Sequence, residues 1–130
     1  MIDEPSLIVR EFLQAFLSGE IGKARKMMHD DFYFHAPMHD GRGGKEAYFA
    51  GAEKKATFIR NFNILRQWTD DDHVSTIYDL DLGTVHEHAT IAMSEWHIVR
   101  DGKLASAFMV FDGNARAVRL MRDALRDQAH

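Results

Sequence analysis

The sequence predicts an α+β domain in which helices pack on one side of a curved antiparallel sheet, and three observations carry that prediction. Before Asn61 the apolar positions recur mainly at helical spacing. From Asn61 onward they alternate as in strands. Residues 89–111, ATIAMSEWHIVRDGKLASAFMVF, form two long β-rich runs around Asp101-Gly102, a dipeptide that readily takes positive φ and so centres a tight hairpin. Helices first and a meander of strands afterwards is the order of an α+β fold.

Pro5 and Ser6 open the first helix, in which Leu7, Ile8, Phe12, Ala15 and Phe16 share a face and Gly19 supplies the stop. A shorter helix is expected over Ile21–Met28. Asp30-Asp31 then break the pattern, and Phe32 to Pro37 reads as a short strand ended by proline. Met38 to Gly44 is a glycine-rich loop carrying His39, Asp40 and Arg42, and a third helix is expected from Lys45 to about Arg60. Phe62–Trp68 and Val74–Leu82 alternate as strands about a turn at Thr69–Asp72, with Tyr78, Leu80 and Leu82 on one side. Beyond the hairpin, Ala115–Arg126 has the composition of a C-terminal helix, its arginines forming a solvated stripe.

Strand parity sorts the hairpin side chains. With Arg100 opposite Lys103, Ile91, Met93, Glu95, His97 and Val99 are expected on one face together with Leu104, Ser106, Phe108 and Val110. Trp96, Ile98, Ala107, Met109 and Phe111 fall on the other. Neither face suits water, so the hairpin is expected to be covered twice, by the chain's own helices and by a second subunit on the outer sheet face.

At 130 residues the chain fits one domain, 1–130. The absence of cysteine excludes disulfides, thiolate metal sites and thiol nucleophiles. A formal net charge of -4 argues against a nucleic-acid surface. No apolar run reaches membrane-spanning length and MIDEPSLIVR does not read as a signal peptide, so no membrane partner is expected and the cytoplasm is the default location. Gly41-Arg42-Gly43-Gly44 follows no strand of a βαβ unit, and no dinucleotide or serine-nucleophile motif is present, so no cofactor is assigned.

The order of Leu17-Ser18-Gly19-Glu20-Ile21, Met27-Met28-His29-Asp30-Asp31-Phe32, Pro37 before Gly44-Lys45-Glu46-Ala47, and Asp101-Gly102-Lys103-Leu104 resembles the SnoaL-like branch of the nuclear transport factor 2-like superfamily. That branch includes polyketide cyclases and ketosteroid isomerases. The resemblance spans nearly the whole chain and implies a cone-shaped domain, a deep pocket between sheet and helices for a largely apolar ligand, and frequent homodimers. It does not imply a reaction. Against ketosteroid isomerases, the first-helix tyrosine falls on Phe12 and the aspartate before the proline on Ala36. The second acidic position falls on Glu95, which the comparison places inward.

Glu95 and His97, two apart on a strand, share a face and can reach one ligand or each other. In an apolar pocket a carboxylate loses hydration and its pKa rises toward the range of a general acid or base, so these two are the candidate catalytic pair. A hydrogen-bonded polar pair at an interface or pocket rim is the alternative. The candidate substrate wall comprises Phe12, Phe16, Phe34, Tyr48 and Phe49 from the first half of the chain. Tyr78, Met93, Phe108 and Val110 from the strands complete it. His39 and Asp40 have the loop freedom to close over a ligand, though a solvated loop has the same composition. His86-Glu87-His88 has the spacing of a metal pair without the further ligands a metal needs, and no metal is assigned. The expected function is binding of a small, mostly apolar organic molecule, with cofactor-free acid–base catalysis by Glu95 and His97; a non-catalytic binding or assembly module is the alternative.

Overall fold

The computed structural model describes residues 3–36, 42–84, 86–111 and 119–120. The first element is α1 (Glu4–Leu17), whose N-terminus is capped by Asp3: its carboxylate accepts a hydrogen bond from Ser6 N at 2.9 Å, and proline lies in the first turn. Val9, Phe12, Leu13, Phe16 and Leu17 form the buried stripe of this helix, and Gly19, at φ +88°, turns the chain out of it. The second helix, α2 (Ile21–Lys26), ends two residues before the expected Met28. Met28 instead opens β1 (Met28–His35), where it pairs with Leu104 and is buried. After the loop come β2 (Arg42–Gly44), α3 (Lys45–Phe49) and α4 (Ala52–Ala56). The single helix expected over Lys45–Arg60 is therefore two short ones, because Gly51 adopts φ +73° between them and strand pairing already claims Ile59.

Four long strands follow: β3 (Ile59–Asp70), β4 (His73–Gly83), β5 (His88–Arg100) and β6 (Lys103–Phe111). They are joined to β1 and β2 in one six-stranded sheet of order β2-β1-β6-β5-β4-β3. The expected all-antiparallel sheet holds for every pair but one, since β1 runs parallel to β6. The reason is topological: the chain between β2 and β3 crosses the concave face as α3 and α4, so β1 receives its neighbour from the far end of the sequence. Helices α1, α3 and α4 cover that face. The core between the layers is built from Phe12, Leu13, Phe32, Tyr78, Ile91 and Leu104, all nearly inaccessible. The expected C-terminal helix lies outside the described residues apart from Arg119 and Leu120, which are helical.

The hairpin departs from simple parity at one residue. Val99 pairs with Leu104, but Ile98 pairs with Ser106, so Ala105 is an extra residue in β6, a β-bulge. From there to its end β6 is flipped relative to the expected alternation. Ala107, Met109 and Phe111 face the helices, whereas Phe108 and Val110 stand on the outer face with exposures of 42% and 50%. β5 has no such interruption opposite β4, and Met93, Glu95, His97 and Val99 point inward as expected. Among the described residues, no helix is long and apolar enough to cross a membrane.

Candidate functional site

Glu95 lies midway along β5 on the concave face, opposite Thr76 of β4 and Met109 of β6. Its carboxylate is 2% exposed and borders a cavity of about 410 Å³ between the sheet and the helices. The wall is largely aromatic and aliphatic: Phe16 and Leu17 from α1, Phe34 from β1, Tyr48 from α3, and Met93 and Met109 from the hairpin. Tyr78 enters from β4, two residues along from Thr76, and donates its phenol hydrogen to Glu95 Oε2. Two cations complete the lining, Lys55 of α4 and Arg42 of β2.

Burial is the largest influence on Glu95 and raises its pKa above the ordinary carboxylate value, while the Tyr78 hydrogen bond and the Lys55 charge pull the other way. The phenols of Tyr78 and Tyr48 are pushed well up by burial and by the nearby Glu95 charge, so both remain protonated donors at neutral pH. Lys55 is lowered by burial, with Glu95 opposing the shift. His97, one β-repeat deeper than Glu95, has no exposed surface and is lowered to about 4 by burial, so it is neutral at physiological pH. Its Nε2 lies 3.6 Å from Glu95 Oε1, and its ring meets Phe12 edge-on with centroids 6.1 Å apart. Glu95 Oε1 and both His97 ring nitrogens lack a hydrogen-bond partner among the described residues. Such atoms are costly to bury, and each needs a reason to be there.

Of the expected wall residues, Phe16, Phe34, Tyr48, Tyr78 and Met93 line the cavity. Phe12 and Phe49 are buried in the aromatic cluster that backs it, against Phe16 and Tyr48. Phe108 and Val110 are corrected: the bulge at Ala105 turns them out of the cavity and brings in Met109 and Phe111 instead. His39 and Asp40 lie outside the described residues. Sequence reasoning did not find Lys55, which the single long helix hid in a charged run, nor the hydroxyl of Tyr78 as a carboxyl partner. Gly51 was the available signal for the first; cross-strand register, which sequence does not print, decides the second. Ala36 and Phe12, at the positions where the resemblance puts polar groups of ketosteroid isomerases, present only a methyl group and a buried ring. Among the described residues no group of three or more His, Asp or Glu side chains is placed to hold a metal ion.

A curved, unclosed six-stranded sheet packed over helices, with a cavity between them, has the nuclear transport factor 2-like class of fold, and solved structures share it. A steroid delta-isomerase from Pseudomonas aeruginosa superposes with a TM-score of 0.75 at 14% identity, covering 99% of this chain and 94% of that one. A nuclear transport factor 2-like protein of unknown function from Cytophaga hutchinsonii gives 0.66 at 27% identity over 86% and 92% of the two chains. An uncharacterised bacterial protein with a cystatin-like fold from Silicibacter pomeroyi gives 0.75 at 12% identity over 93% and 84%. Within this class, residues 9–107 match the model of the SnoaL-like domain, and the chain belongs to that family. Among curated proteins, no sequence matches it.

Proposed function

We propose that this protein, as a single domain acting in the cytoplasm, binds a small, largely apolar organic molecule and carries out cofactor-independent acid–base chemistry on it. Glu95 is the proton carrier. The observation that supports this is a carboxyl group, 2% exposed and raised in pKa by burial, at the wall of a cavity of about 410 Å³, a size usual for small-molecule sites. In its neutral form Glu95 can deliver a proton to a ligand; once ionised, it is a base held in place by Tyr78 and favoured by Lys55. Neutral His97 behind it can donate to or accept from Oε1 when the 3.6 Å gap closes, which lets the pair share the proton. Isomerisation, cyclisation, dehydration and hydrolysis all draw on this chemistry.

The test is a panel of carbonyl-bearing bicyclic compounds screened for binding and turnover. Glu95→Gln keeps an acceptor for Tyr78 but cannot carry the proton, so turnover of a hit is expected to fall about a hundred-fold or more while binding persists. His97→Asn is expected to shift the pH profile of the same reaction. Unchanged turnover in both variants would refute the assignment. The alternative, a non-catalytic binding module, is favoured by the apolar Phe12 and Ala36, and predicts hits that bind without reacting.

We extend the proposal to a homodimer formed through the outer sheet face. Trp68, Trp96, Phe108 and Val110 stand exposed there on β3, β5 and β6, more apolar surface than a monomer usually leaves wet. Light scattering is expected to give twice the chain mass for the wild type and the chain mass for Trp96→Glu. A monomeric wild type would exclude the dimer.

A further inference from the structure

The cavity wall carries three charged residues, and their balance says what the apolar ligand has at one end. Glu95 is an acid that burial disposes to hold its proton, while Lys55 and Arg42 are cations. Lys55 follows the exposed Glu53 and Lys54 in α4, yet is itself half-buried, with its ammonium 6.0 Å from the centre of the Phe16 ring. Neither the Lys55 ammonium nor the Arg42 guanidinium makes a side-chain hydrogen bond or ion pair with a described residue. Glu46 pairs with Arg25 and Asp30 with Lys45, so neither of these acids is bound to the two cations. Glu95 of the same cavity acts on Lys55 through its charge alone, with no ion pair or hydrogen bond between them, so a half-buried ammonium in a largely apolar hollow is incompletely compensated by the protein itself.

We infer that the ligand is an amphipathic acid, an apolar body with one carboxylate, whose anionic end is held by Lys55 with Arg42 as a second cation at the rim. This rests on the cavity being a binding site, as proposed above, and names the class of molecule it takes. The carboxylate completes Lys55; the apolar body lies along Phe16, Phe34 and Met93; the far end reaches the Tyr78 and Glu95 hydroxyls. The same arrangement disfavours organic cations, which two like charges would repel, and gives no advantage to a neutral molecule over its charged analogue.

The probe is a matched pair, 1-naphthaleneacetic acid and 1-naphthaleneacetamide, which share shape and differ in charge. Affinities are measured by titration calorimetry at neutral pH, and the site is identified by the Met93 and Met109 methyl resonances. The acid is expected to bind roughly ten-fold more tightly than the amide, as one charge-assisted contact allows. In Lys55→Met that ratio is expected to collapse toward one, whereas Lys55→Arg, which retains the charge, preserves it. Equal affinities in the wild type, or an unchanged ratio in Lys55→Met, would overturn the inference while leaving the cavity as a binding site. Failure of both probes to bind or to move either methyl resonance would overturn the inference and the binding reading together.

Discussion

His97→Leu is expected to remove an acid sensitivity of about 3 kcal/mol from the folding stability. In the folded chain His97 titrates at about 4 rather than 6.5, because burial penalises its charged form. Between those two values the unfolded chain binds a proton that the folded chain refuses. Stability contributed by neutral His97 is therefore full above the unfolded value and is lost as pH falls from 6.5 toward 4. Glu95 acts in the opposite sense. Its folded pKa is raised from 4.5, so between that value and the raised one the folded chain holds a proton that the unfolded chain releases. Its contribution is thus present at low pH and declines as pH rises through the folded value. Urea unfolding of both proteins at several pH values across this window checks the result. The wild type should weaken on acidification relative to His97→Leu; parallel curves would show that His97 is not buried as a neutral base. At neutral pH the leucine variant is expected to be at least as stable as the wild type, since it replaces two unpartnered ring nitrogens with hydrocarbon. A buried histidine that costs stability is the kind of residue function retains.

Inserting an alanine between Ser106 and Ala107 is expected to cost more than about 2 kcal/mol and to reshape the cavity. The bulge at Ala105 is what turns Ala107, Met109 and Phe111 inward. With one residue added beyond it, each later side chain of β6 takes the place of its successor. Phe108 would then stand opposite Glu95 in the place of Met109, and Val110 would replace Phe111 opposite Met93. Met109 and Phe111 would turn to the outer face, and the edge-on contact of Phe108 with His35 would end. A larger ring at one wall position and a smaller side chain at the next both misfit a packed layer. Deleting Ala105 instead is expected to leave the lining in place, because Ser106 still pairs with Ile98 and Ala107 with His97. Chemical denaturation and probe binding measure the two effects. An insertion variant as stable as the parent, with the cavity intact, would show that β6 is not committed to its register beyond the bulge.

The two experiments bracket the site from different sides. The first asks what keeps His97 neutral, and the second asks what shapes the hollow that Glu95 borders. Glu95 was legible as an inward carboxylate because it and its neighbours alternate without interruption from Ile91 to Val99, so parity carried through the whole of β5. The same rule failed on β6, where it placed Phe108 and Val110 in the pocket. A single inserted residue reverses every later position, and Leu-Ala-Ser-Ala offers no glycine or proline to mark it. Lys55 was hidden for a comparable reason. Its placement depends on a left-handed Gly51 breaking a helix that propensity alone would continue.

The sequence by itself determined that helices come first and strands follow, the hairpin about Asp101-Gly102 and the burial stripe of α1, because each follows from local periodicity and turn chemistry; the family came as a resemblance in the order of short motifs, and the SnoaL-like domain model matches it over residues 9–107. Tertiary structure alone decided that β1 lies parallel to β6, that the bulge at Ala105 swaps one wall of the cavity, and that Tyr78 and Lys55 converge on Glu95. Those outcomes depend on contacts between segments far apart in the chain. The free energy that selects among them is the packing of whole layers, which no window of residues contains.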